Sequence, residues 1–219
     1  MFLVRILRYI LEFFYSLTDS FGLSIVLLSL SVTIIMLPLF WIAEYIQNKE
    51  RSRKAKMQPS LDEIKDIQNK QEKHYYTQEI YRKYKYNPFY SLTGLLGLLI
   101  QVPFFLAAYW MLFEYVPLGG VSFGPIKDLY QPDGLISFGG MTYNLLPFVM
   151  TIINLFAGYL YTENNNGKIE QIQLVVIALV FLVLLYNLSA ALVLYWTMNN
   201  VFAIGKNWLM SNIKLKYHD

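Results

Sequence analysis

The side chains best placed to do chemistry in this chain are uncharged polar groups set singly inside apolar stretches. They are Ser29 and Thr33, one helical turn apart, Gln101, Asn154 with Thr151 just before it, and Trp196, Thr197, Asn199 and Asn200. Hydroxyls, amides and an indole N–H make hydrogen bonds, but without an adjacent base none of them is an activated nucleophile. The chain has no cysteine, which removes thiolate catalysis, a disulfide framework and soft metal sites. His74 lies in a solvated segment and His218 in the tail, neither with partners at metal-ligand spacing. Glu44 and Glu114 stand near the ends of apolar stretches, so neither is placed to relay protons. What this inventory supports is hydrogen bonding inside an apolar surround. Such groups line a wet cavity, tie helices together, or bond the backbone one turn back. At Thr33, Gln101 and Asn154 these alternatives stay open.

The elements that must position these groups are membrane helices. Hydrophobic residues make up 56% of the 219 residues and charged residues 15%, and the apolar residues come in blocks too long for the core helices of a soluble domain. Residues 1–17 place Arg5, Arg8 and Glu12 at helical spacing opposite Phe2, Leu3, Ile6, Leu7, Ile10 and Phe13, which predicts an interfacial amphipathic helix. The same charges argue against a cleavable signal peptide. Five spans are expected, at 21–46, 92–116, 145–161, 172–186 and 190–209, the first opened by Asp19 and Ser20 and kinked at Pro38. Residues 49–85 collect most of the lysines and arginines and read as a cytoplasmic helical hairpin, opened by Ser60 and Glu63 after Pro59 and turning near Asn69 to Gln71. Leu61, Ile64, Tyr76, Ile80 and Tyr84 supply its narrow apolar stripes. Residues 117–143, rich in glycine with one lysine, read as an outer loop. The resulting fold class is an all-α membrane protein with its N-terminus outside and its C-terminus in the cytoplasm. Arg5 and Arg8 run against the positive-inside pattern, which snorkelling to headgroups accommodates.

Several stretches, in order, resemble the YidC family of membrane protein insertases: Gly22-Leu23-Ser24-Ile25 leading to Leu37-Pro38-Leu39, Met57-Gln58-Pro59, Tyr86-Asn87-Pro88, Leu99 to Phe105, Asp128-Leu129 with Pro132-Asp133, and Leu194 to Asn200. The resemblance covers nearly the whole chain. It implies a non-enzymatic, cofactor-free protein of the bacterial cytoplasmic (inner) membrane. Five helices would enclose a groove open to cytoplasm and lipid, through which hydrophobic segments of newly made membrane proteins pass into the bilayer. The groove residues it points to here are Thr33, Ser29, Gln101, Asn154, Trp196 and Asn199, and the client-receiving residues of the hairpin are Lys54, Lys56, Met57, Arg82 and Lys83.

One departure stands out. Aligned on Leu37-Pro38-Leu39, Thr33 falls where bacterial members usually carry a groove arginine, and no other span interior supplies a lysine or arginine, since Lys206 lies close to a span end. A buried cation attracts acidic client tails, whereas threonine offers a hydroxyl. The expectation is a groove that favours hydrophobic clients with short, weakly charged outer tails. The alternative is a divergent, non-inserting paralogue that assembles with one membrane complex. A transporter would need paired charges or broken repeats, and neither is present. The basic hairpin suits anionic lipid headgroups and, by the resemblance, clients and the translocation channel. The tail after Ser211 holds only Lys214 and Lys216, which argues against ribosome docking through it, and no nucleic-acid binding is expected.

Overall fold

The longest helix runs straight through a boundary that composition predicts as an end. In the computed structural model, which describes residues 2–87, 96–161 and 168–216, α1 spans Phe2–Thr18, and α2 runs unbroken from Phe21–Glu63 across both Pro38 and Pro59. The first arm of the basic hairpin is therefore a continuation of the first apolar helix, and no new helix starts at Ser60. Two facts explain this. Residues 46–58 contain no glycine or proline and are rich in good helix formers. Pro59 and the carbonyl-bearing Ala55 are both exposed, so water satisfies the acceptor that proline leaves unpaired. Instead of capping a helix, the Ser60 hydroxyl meets the Tyr84 hydroxyl at 3.4 Å.

The remaining elements are α3 (Lys70–Lys83), α4 (Leu96–Phe113), a 3-10 turn (Val116–Leu118), strands β1 (Ile136–Phe138) and β2 (Met141–Tyr143), α5 (Leu146–Tyr161), α6 (Lys168–Leu185) and α7 (Ala190–Lys216). Each expected span coincides with one helix among α2 and α4–α7. The β-hairpin in the segment 117–143, expected as an outer loop, is an addition that its composition did not announce. The expected first residues of the second span, the polar turn at 162–167 and Pro88 lie outside the described residues. Among the described residues, α2 alone is long and apolar enough to cross a bilayer, while α4, α5 and α6 have shorter apolar stretches.

The chain divides into two units, the first made of residues 1–35 and 104–219 and the second of residues 36–103, and the division falls beside Pro38 in α2 and at Pro103 in α4. In the first unit, α5 packs against both α6 and α7. Met150, Leu185, Val193 and Trp196 form a buried cluster with Phe105, Leu146, Phe181 and Leu188 packed onto it. α1 joins α2 through Asp19, whose φ of 50° is a left-handed conformation aspartate tolerates, while Ser20 takes up the Leu23 N–H at 3.4 Å. The apolar residues of α1 divide onto two faces. Leu7 and Leu11 are buried, whereas Phe2, Tyr9, Phe13 and Leu17 are exposed along one stripe. Its C-terminal end is held by stacked rings of Tyr15 and Phe21, with Tyr115 edge-on to Phe21.

In the second unit, α3 follows the end of α2. Asn69 caps α3 by accepting from the N–H groups of Gln71 and Glu72, so the turn lies over 64–69, slightly earlier than expected. The Lys73 ammonium donates to the Lys65 carbonyl at 2.6 Å across it. Met57 of α2 is buried at 2% exposure; Ile80 and Tyr81 of α3 and its C-cap Tyr84 are half-buried, while Tyr76 is exposed.

Candidate functional site

Thr33 is buried, at 8% exposure, and its hydroxyl is already engaged. Its Oγ1 donates to the Ser29 carbonyl one turn back at 2.9 Å and lies 3.4 Å from Oδ1 of Asn199 on α7. The first contact is the ordinary fate of threonine in a helix. The second links two helices at a buried point. Asn199 is buried as well, and its side chain also bonds the hydroxyl of Tyr195, one turn earlier on α7. Ser29 is fully buried, and its hydroxyl donates to the Val26 carbonyl at 2.7 Å. Ser29, Thr33 and Asn199 thus come together as a clasp between α2 and α7 whose polar atoms are largely satisfied within the protein.

Trp196 sits beside this clasp on α7 at 3% exposure. Its ring is gripped edge-on by Phe105 of α4 (4.5 Å between centroids) and stacked on Phe181 of α6 (5.0 Å). Its indole N–H is buried without a hydrogen-bond partner, as is Nδ2 of Asn200 one turn further on. Thr197 and Thr151 repeat the backbone-bonding pattern, donating to Val193 and Pro147. Asn154 is half-buried on α5, and Gln101 is half-buried on the part of α4 that belongs to the other unit.

The electrostatics of this region are simple. Among the described residues, the one buried carboxylate is Asp133, and no lysine or arginine is buried. Asp133 works at the start of α5. Its Oδ2 accepts from the N–H groups of Leu145 (2.7 Å), Leu146 (3.2 Å) and Leu135 (3.4 Å), capping α5. Neighbouring Asn144 accepts from Gly134 N–H at 3.0 Å and donates to the Tyr186 carbonyl at 2.8 Å, tying this cap to the end of α6. The loop continues onto α7, whose Ala190 and Ala191 N–H groups are taken up by the carbonyls of Gln131 and Leu129. Sequence reasoning flagged Pro132-Asp133 as a motif without assigning it this job. The signal available was an acidic residue after proline, ahead of an apolar run.

Gly22 has a similar hidden role. A methyl group built on it would overlap the Phe123 ring, so the loop that carries Phe123 lies directly on the start of α2. Nearby, the Tyr115 hydroxyl reaches the Glu12 carboxylate at 3.5 Å while the Arg8 guanidinium lies 5.8 Å from its ring centre. Burial pushes the Tyr115 hydroxyl above the usual tyrosine range, and the adjacent Glu12 charge adds to the shift.

On the basic hairpin, Lys54, Lys56, Arg82 and Lys83 are exposed. Arg82 pairs with Glu79 at 3.2 Å, and Lys83 lies 5.6 Å from the ring centre of Tyr84. Met57, expected among the receiving residues, is buried.

Comparison with known proteins gives a consistent result. The family model described as 60Kd inner membrane protein matches residues 13–217. Among curated relatives, proteins described as membrane protein insertase YidC are 29% identical in Vesicomyosocius okutanii, over 92% of this chain and 35% of the relative. In Treponema denticola the figures are 29%, 92% and 36%, and in Syntrophobacter fumaroxidans 31%, 94% and 37%. The chain therefore spans little more than a third of the length of these relatives. A crystal structure described as an active YidC insertase with its first transmembrane domain resolved has a similar fold, with a TM-score of 0.60 at 24% identity, covering 93% of this chain and 46% of that one.

Proposed function

The chain belongs to the 60Kd inner membrane protein family, that of the YidC insertases, and we propose that it is a non-enzymatic insertase or membrane chaperone. In this reading α2 and α4–α7 each cross the inner membrane, with the N-terminus outside and the basic hairpin and C-terminus in the cytoplasm. The exposed apolar residues Phe148, Ile152 and Phe156 of α5 and Val176, Val180 and Val183 of α6 support it, because hydrocarbon covers such faces without penalty. The exposed cations Lys54, Lys56, Arg82 and Lys83 are suited to receiving clients and to holding anionic lipid.

The observation that carries the mechanism is the contact between Thr33 and Asn199, at the position where the family resemblance leads one to expect arginine. A client's acidic tail meets hydrogen-bonding groups there and no cation. The favoured clients are accordingly hydrophobic segments with short, weakly charged outer tails. A photocrosslinker at half-buried Asn154, combined with an insertion assay on clients of graded tail charge, tests this reading. Adducts with nascent chains and insertion that falls as acidic residues are added support it. Absence of client adducts together with failure to replace a depleted insertase overturns it.

A second reading keeps the fold and drops the activity, making the protein an assembly partner of one membrane complex. It is favoured by the engagement of the Ser29 and Thr33 hydroxyls within the protein itself. If Thr33→Arg still fails to support insertion while a single partner copurifies with the chain, this second reading stands.

A further inference from the structure

The β-hairpin at 136–143 presents an apolar face that none of the described residues covers. β1 and β2 pair antiparallel, with Ile136 opposite Tyr143, Ser137 opposite Thr142 and Phe138 opposite Met141. Because side chains alternate along a strand, Ile136, Phe138, Met141 and Tyr143 share one face and Ser137 and Thr142 the other. All six are exposed, Phe138 at 80% and Met141 at 65%. The connection is Gly139-Gly140, both with positive φ (60° and 81°), which makes the tip tight and free of side chains.

Two further observations say what covers this face. First, the hairpin is fixed at the mouth of an apolar helix: Asp133 caps Leu145 and Leu146, and Asn144 ties the same point to Tyr186. Met141 lies five residues before the start of α5, which holds it within about 18 Å of that point, and Phe138 is paired beside it. Second, no charged residue occurs between Asp133 and Glu163. Along the sequence, the uncharged apolar face of the hairpin therefore continues into Leu145, Phe148, Val149 and Ile152, the exposed face of α5. A solvated loop tip normally carries charge, whereas this one has an aromatic, a thioether and a tyrosine above a polar reverse side, the composition of an element that lies in a lipid interface.

We propose that the β-hairpin at 136–143 inserts its Ile136, Phe138, Met141 and Tyr143 face into the lipid of the outer leaflet, as a shallow anchor beside α5. The proposal rests on the reading of α5 as a membrane span. Phe138 and Met141 then enter the acyl boundary, with Ser137 and Thr142 facing water or headgroups. The anchor fixes the level of the outer loop, and with it the loop contacts to α7 and Gly22, relative to the membrane.

The cysteine-free chain makes the test direct. Single-cysteine variants Phe138→Cys, Ser137→Cys, Ile152→Cys and Lys127→Cys of the full chain carry an environment-sensitive fluorophore in vesicles of phosphatidylcholine and phosphatidylglycerol. Lipids bearing a quencher near the headgroup end of the acyl chain are then added. The expected result is strong shallow quenching at 138, about twofold above that at 137, with none at exposed Lys127. Quenching at 138 no greater than at 127 overturns the inference, whatever happens at Ile152. An unquenched Ile152 probe counts separately, against the span assignment. Disulfide-linked pairs of the unlabelled Phe138→Cys chain, with an unquenched probe at 138, would assign the face to a second copy and overturn the lipid proposal.

Discussion

The Thr33 hydroxyl holds one proton between two acceptors, the Ser29 carbonyl on its own helix and Asn199 Oδ1 on α7. A single hydrogen cannot serve both fully. Turning the Asn199 amide end over lets Thr33 donate to Ser29 and accept from Nδ2, and the two amide atoms are otherwise nearly interchangeable in shape. Either way the pair joins α2 to α7 with neutral groups.

Thr33→Val keeps the volume and removes the hydroxyl, so it is expected to cost about 1 kcal/mol of stability in mild detergent, partly through Asn199 left short of a partner. A double-mutant cycle with Asn199→Leu should show a coupling of about 0.6 kcal/mol, the usual size between membrane helices. Denaturant unfolding of the four proteins measures it, and strict additivity would exclude a clasp.

Asp133→Ala is expected to cost about 2 kcal/mol, since it removes the cap of α5 and strands the N–H groups of Leu145 and Leu146. Asp133→Asn keeps an acceptor oxygen and should lose less. Thermal unfolding of the purified chain ranks the two, and an Asn variant as damaged as Ala would argue for a role of the charge itself.

Gly22→Ala forces the Phe123 ring to move and should cost about 1–3 kcal/mol, in the range of overpacked cores. Adding Phe123→Leu should recover part of that loss. Protease susceptibility of the outer loop provides a second readout, rising in the single variant and falling again in the double.

Tyr115 titrates above the ordinary tyrosine value of 10.0, chiefly through burial and then through the Glu12 charge. A group whose folded pKa is raised contributes stability that is complete below its unfolded pKa and lost as pH rises through the folded value. The attachment of α1 near Tyr115 should therefore persist to about pH 10 and weaken above it. Glu12→Gln should lower the Tyr115 pKa and Arg8→Gln should raise it. Ring-labelled tyrosine NMR, assigned with Tyr115→Phe, follows both shifts.

Helix positions were legible because apolar block lengths and charge segregation are strong signals, and α5, α6 and α7 begin within a few residues of their expected starts. The continuity of α2 through Pro59 was not, because a proline and a capping pattern ordinarily mark a helix start and only solvent exposure relaxes that rule. Thr33 was legible as a substitution, but its partner was not. Asn199 is 166 residues away, and nothing in either residue's neighbourhood names the other. The β-hairpin was missed because its strands have three residues each and the glycine pair reads equally well as an open loop.

The outer loop meets α7 through main-chain bonds, from the N–H groups of Ala190 and Ala191 to the carbonyls of Gln131 and Leu129. Such bonds do not themselves depend on which side chain residue 131 carries, so exposed Gln131 can change while the seam stays. Proline at 190 or 191 would break it, because it removes the donor itself. Divergence at position 131 is thus compatible with the same join.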